Sequence, residues 1–108
     1  MFKFAETLKN LFLVKSKLDE LQKVLKDKRV TAEVGGGMVR VVMDGQQNVI
    51  DIEFDDELLK DKKMLHDLLI SALNEAKRKS QEVAAEEMKR ILGEFGGDIG
   101  DVGPLIPS

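Results

Sequence analysis

One hundred and eight residues suffice for a single domain, and the lack of cysteine excludes a disulfide framework, a thiolate metal site and a cysteine nucleophile. With 34% charged and only 5% aromatic residues, the composition fits long solvated helices. The net charge of −3 disfavours a nucleic-acid partner, yet residues 1–29 carry eight Lys or Arg against four Asp or Glu, and residues 30–108 carry nine against sixteen. A positive surface can therefore exist on an acidic chain.

The first predicted element is a helix from about Phe4 to Lys28, because Leu8, Leu11, Val14, Leu18, Leu21 and Leu25 recur at steps of three or four without an intervening Pro or Gly. The stripe is narrow, close to a coiled-coil seam, and lysines occupy its flanks and back. The period then changes to two. Val30 to Val34 predicts a short strand, Gly35-Gly36-Gly37 breaks it, and Met38 to Met43 predicts a second with Val39, Val41 and Met43 on one side. Asp44-Gly45 signals a hairpin. A third strand is expected over Asn48 to Phe54, with Ile50, Ile52 and Phe54 inward and Asp51 and Glu53 outward. The three strands form an antiparallel meander.

Asp55, Asp56 and Glu57 have the chemistry of a helix N-terminus, and a short turn through Leu58 and Leu59 leads into a long helix, roughly Lys62 to Leu92. Its apolar stripe is interrupted by the polar run from Lys77 to Glu82. Gly93 is a plausible C-cap. The tail from Gly96 to Ser108, rich in Gly and Pro, is expected to be flexible, giving one domain over 1–95. The fold class is α+β, in the order α-β-β-β-α. A final helix of about 31 residues spans ~46 Å, longer than the ~34 Å diameter of a compact globule of this size. One end overhangs and needs cover from the first helix, from a second chain, or from both. A three-stranded sheet also leaves two open edges, so a homodimer is expected.

The run Val30-Thr31-Ala32-Glu33-Val34-Gly35-Gly36-Gly37-Met38-Val39-Arg40-Val41 resembles the glycine-centred strand pair of the YbaB/EbfC family of nucleoid-associated proteins. Asp44-Gly45 falls at that family's hairpin, and Ile52-Glu53-Phe54-Asp55 with Leu58-Leu59 resembles its strand exit. Leu65-His66-Asp67-Leu68-Leu69 and Ala72-Leu73-Asn74-Glu75-Ala76 resemble its long-helix start. The ordered set covers about Val30 to Ala76. The resemblance implies a tweezer-like homodimer that binds duplex DNA through helical arms, with modest sequence preference.

Lys and Arg neutralise backbone phosphates without reading sequence. The candidates are Lys3, Lys9, Lys15, Lys17, Lys23, Lys26, Lys28 and Arg29 on or near the first helix, and Lys77, Arg78 and Lys79 on the long one. Lys89-Arg90 forms a further basic pair. The same residues also suit solvated helix faces paired with Asp19, Glu20 or Glu82. Leu11, Val14, Leu18, Leu21, Val39, Val41, Leu69 and Leu73 are the candidate dimer contacts. The triple glycine precedes a strand rather than a helix, which favours a turn over a phosphate loop. His66 is the only histidine, so neither a zinc site nor a nucleophile–base pair is expected, and no cofactor or small-molecule substrate is implied. Asn74 is either a buried register-fixing amide or an exposed residue. The N-terminus lacks the apolar run of a signal peptide, and no stretch approaches the ~18 apolar residues of a membrane span. A cytoplasmic, nucleoid location is expected. A helical protein-interaction adaptor is the alternative reading, and loss of duplex binding with salt separates the two.

Overall fold

The computed structural model describes residues 2–93, with side chains from Phe4 onward. The expected tail from Gly96 to Ser108 and the side chain of Lys3 lie outside the described residues. Helix α1 covers Phe2–Asp27, strands β1, β2 and β3 cover Val30–Val34, Val39–Met43 and Val49–Phe54, and helix α2 covers Lys62–Gly93 after a 3-10 turn at Asp56–Lys60. The strands form one antiparallel sheet in the order β1-β2-β3.

Both inter-strand turns depend on particular residues. Gly35, Gly36 and Gly37 all have positive φ, at 63°, 67° and 90°, a run that only glycine adopts without strain. The second turn is held by Asp44, whose Oδ1 accepts from the backbone N–H of Gln46 at 2.8 Å and of Asn48 at 2.9 Å. Asp44 Oδ2 accepts from Asn48 Nδ2 at 3.0 Å. Positive φ in this turn falls on Gln47, at 66°, and not on Gly45. Gly45 serves close approach instead. Its N–H donates to Leu25 O at 2.8 Å, and a Cβ there would lie 2.8 Å from the same oxygen. The hairpin is thereby pressed against the end of α1.

The main core lies between α2 and one sheet face. Val30 and Ala32 of β1 and Val39, Val41 and Met43 of β2 alternate inward and pack with Leu58, Ala72 and Ala76. Each large aliphatic buried there contributes about 1.5–3 kcal/mol. Ala72, Ala76 and Ser80 are all fully buried at steps of four, so small side chains bring α2 down on the sheet. In sequence Ser80 belongs to the polar run from Lys77 to Glu82 that interrupts the apolar stripe. In the fold its hydroxyl donates to Asp44 O at 2.8 Å and the packed row continues through it.

A second, smaller core joins Leu21 and Leu25 of α1 to Ile91, Val83, Ala84 and Met88 of α2. Lys28 reinforces this crossing by pairing with Glu87 at 3.2 Å. The far end of α2 is thus covered by the C-terminal half of α1. The uncovered arm is the N-terminal half of α1, where Phe4, Leu11 and Phe12 are 60–70% exposed. The molecule is accordingly elongated, 70 × 25 × 17 Å with a radius of gyration of 19.5 Å.

Strand β3 departs from expectation. Ile50, Ile52 and Phe54 were expected to face the core, but all six β3 residues are exposed, those three at 48%, 40% and 39%. Ile52 and Phe54 pair with Val41 and Val39, so they share the core-facing side of the sheet, but α2 covers only β1 and β2. A bulge between Val42 and Met43 lies in the same ladder.

Candidate nucleic-acid interface

The basic residues fall into three environments. Lys9, Lys15, Lys23 and Lys26 of α1 are exposed, and among the described residues no hydrogen bond or ion pair engages their ammonium groups. At about 100° per residue they fall within roughly 120° of the helix circumference. They form one side of α1, next to the apolar stripe, with Asp19 between Lys15 and Lys23. Lys17 lies off this side and pairs with Glu20 at 3.2 Å.

The cations at the end of α1 hold structure. Arg29 Nη1 donates to the carbonyls of Lys26 and Lys28 at 2.9 and 2.8 Å, capping the helix where its dipole favours positive charge. Lys28 is committed to Glu87.

The expected cluster on α2 is largely neutralised where it stands. Arg78 is held by Glu75 at 2.6 Å and by Glu82 on the other side, and both its charge and that of Glu75 are stabilised by the pairing. Hydrogen bonding donated by Arg78 to the Glu75 carboxylate is the main cause raising the Arg78 pKa, and the same bonding lowers that of Glu75. Lys79 reaches across to the sheet and donates to Thr31 O at 2.8 Å. Only Lys77 of the three is exposed without a partner among the described residues. Sequence spacing showed the basic triplet and offered Glu82 as a partner for it, but could not show that a carbonyl 48 residues distant engages Lys79.

The candidate dimer contacts also divide. Leu21, Val39 and Val41 are buried within the single chain and offer no surface to a second one, which corrects their placement at an interface. Leu69 and Leu73 are half-buried beside the core. Leu11, Val14 and Leu18 are exposed on the α1 arm. The apolar surface of Ile50, Ile52 and Phe54 was missed, because alternation identifies the inward face of a strand without showing how far the covering helix extends.

Acids concentrate elsewhere. The opposite sheet face carries a Glu33–Arg40–Glu53 ladder across the three strands, with contacts of 3.7 and 3.5 Å. Asp55 Oδ1 accepts from Glu57 N at 2.9 Å, and Asp61 Oδ1 from Met64 N at 3.1 Å, so these acids cap the 3-10 turn and α2. His66 lies exposed beside Asp67, and Asn74 is exposed. Among the described residues no group of His, Cys, Asp or Glu is placed to hold a metal, and no helix is long and apolar enough to cross a membrane.

A three-stranded meander under one long helix, with a second helix projecting a lysine-lined arm, defines a small α+β protein with a basic helical surface. Residues 1–95 match the YbaB/EbfC DNA-binding family, and the chain belongs to that family. It is 39% identical over 108 residues to a nucleoid-associated protein of Sulfurihydrogenibium, covering 90% of this chain and 98% of the relative. A nucleoid-associated protein of Coxiella burnetii is 36% identical over 101 residues, covering 93% and 92%. The fold matches the crystal structure of an uncharacterised Helicobacter pylori protein with a TM-score of 0.77 and 32% identity, over 83% of this chain and 97% of that one.

Proposed function

We propose that this protein binds duplex DNA as a homodimer and acts in organising the nucleoid, with an attendant effect on gene expression and no catalytic step. The observation that carries the proposal is the set of unpaired lysines on one side of a projecting helix, in a member of a DNA-binding family. Lys9, Lys15, Lys23 and Lys26 contact backbone phosphates, and their ammonium groups release counterions without reading bases. Lys77 adds to this charge, whereas Lys28, Arg29, Arg78 and Lys79 act mainly within the fold.

The dimer seam is built on β3. An edge strand with exposed Ile50, Ile52 and Phe54 invites cover by a second copy. Joining two chains there leaves both α1 arms outside the seam.

Duplex binding by a Lys15→Gln/Lys23→Gln variant tests the assignment. An affinity about tenfold or more below the parent at 0.1 M salt supports it. Unchanged retention of a DNA duplex, or an equal loss on Arg78→Gln alone, places the surface elsewhere.

A further inference from the structure

The α1 arm has an apolar stripe that nothing in the described chain covers. Phe4, Leu8, Leu11, Val14 and Leu18 are all 40% or more exposed, and the described part of α2 runs to Gly93, just beyond the contact of Ile91 with the α1 helix through Leu21 and Leu25. The 15 residues that follow in sequence, 94–108, are tethered close to the last described contact of α2 with α1.

We propose that this C-terminal segment docks along the α1 arm of its own chain and competes with DNA for it. Three observations support that occupant. The first is chemistry: the segment holds Phe95, Ile99, Val102, Leu105 and Ile106, apolar side chains that match an apolar stripe. The second is charge. The segment carries Glu94, Asp98 and Asp101 with no Lys or Arg, whereas residues 1–18 carry four lysines against the single acid Glu6. The third is reach. From Leu21 to Phe4 the helix rises about 26 Å, and 15 residues extend to about 50 Å, so a partly extended segment follows the whole arm. Its four glycines and two prolines disfavour further helix and suit an extended path.

The docked segment places carboxylates near the phosphate-binding lysines, and DNA must displace it. The competition rests on the DNA-binding reading; the docking does not.

Because the chain has no cysteine, Ser108→Cys accepts a single nitroxide label in the full-length protein. Docking is read as paramagnetic broadening of the amide signals of Leu8 to Val14, lost on reduction of the label. Absence of that broadening overturns the docking, and so does broadening that appears only when isotope-labelled and spin-labelled chains are mixed, which assigns the stripe to a second copy. Competition is read with Glu94→Gln/Asp98→Asn/Asp101→Asn, expected to raise duplex affinity at least about fivefold. A control with Asp51→Asn/Asp56→Asn/Glu86→Gln has the same net charge. An equal gain in the control overturns the competition. If neither parent nor variant retains DNA at low salt, the DNA-binding reading fails, and the competition with it, while the broadening still decides the docking.

Discussion

Gly45→Ala would place a methyl group where the backbone of α1 passes. A Cβ at this position lies 2.8 Å from Leu25 O and 3.0 Å from both Leu25 Cα and Leu25 Cδ2. Two of those atoms are backbone, so no change of rotamer relieves the clash. Gly45 is not a positive-φ residue, and alanine meets no strain of its own there. The effect is therefore steric. The 2.8 Å hydrogen bond from Gly45 N to Leu25 O has to lengthen, and the end of α1 has to move off the hairpin. That movement also loosens Leu21 and Leu25 against Ile91. Overpacking of this kind costs about 1–3 kcal/mol. In a domain of this size each kcal/mol lowers Tm by about 4–8 °C, so calorimetry should show a fall of at least about 4 °C. Hydrogen exchange should accelerate at the C-terminal half of α1 while β1 and β2 keep their protection relative to global stability. Gly36→Ala is the comparison: no atom lies within 4 Å of its Cβ, but φ is +67°, so it loses about 1–2 kcal/mol through backbone strain alone. An unchanged Tm for Gly45→Ala, or exchange in α1 identical to that of Gly36→Ala, refutes the steric account.

Ser80→Ala removes the hydroxyl that donates to Asp44 O in a fully buried position, and denaturant unfolding should show a loss of about 1–3 kcal/mol; a loss below about 0.5 kcal/mol argues against that bond. Burial of the Asp44 carboxyl opposes its ionisation, but hydrogen bonds from the Asn48 side chain and from the backbone N–H groups of Asn48 and Gln46, with the Arg29 charge, hold its pKa below the ordinary 3.8. The ionised form is thus favoured by folding: its contribution is fully present above the unfolded pKa and disappears as pH falls through the folded one. Asp44→Asn should flatten the acid limb of Tm against pH below about 4, and a limb of unchanged slope counts against the linkage. Ile52→Asp puts a charge in the proposed seam, where the parent side chain is 40% exposed in the single chain. Sedimentation equilibrium should then report a monomer with a near-parental circular dichroism spectrum, and a persistent dimer would move the seam elsewhere.

The order of elements was legible because its signals are local. The Leu8-to-Leu25 spacing, the alternation in Val39, Val41 and Met43, and the glycine run each depend on neighbours a few residues away. What stayed hidden depends on distant partners. The role of Gly45 follows from Leu25, that of Ser80 from Asp44, and the engagement of Lys79 from Thr31, all separated by 20 or more positions in sequence. Alternation showed that Ile52 and Phe54 share a side with Val41 and Val39, but not that α2 stops short of them. In the candidate interface, counting charges picked out the basic segment that forms α1 and its end. It could not separate Lys15 and Lys23, which are free among the described residues, from Arg29 and Arg78, which are held within the fold.

The most direct test of the central claim is the dependence of duplex affinity on salt, measured by fluorescence anisotropy on two DNA duplexes of unrelated sequence. Four free lysines on one arm correspond to a slope of log K against log salt near −4, and two arms acting together to about −7. The account expects a slope in that range, similar for both duplexes, and shallower by about one for each α1 lysine lost per contacting arm. A slope near zero, or one unaffected by Lys15→Gln/Lys23→Gln, would contradict the claim that this side of α1 holds the phosphate backbone.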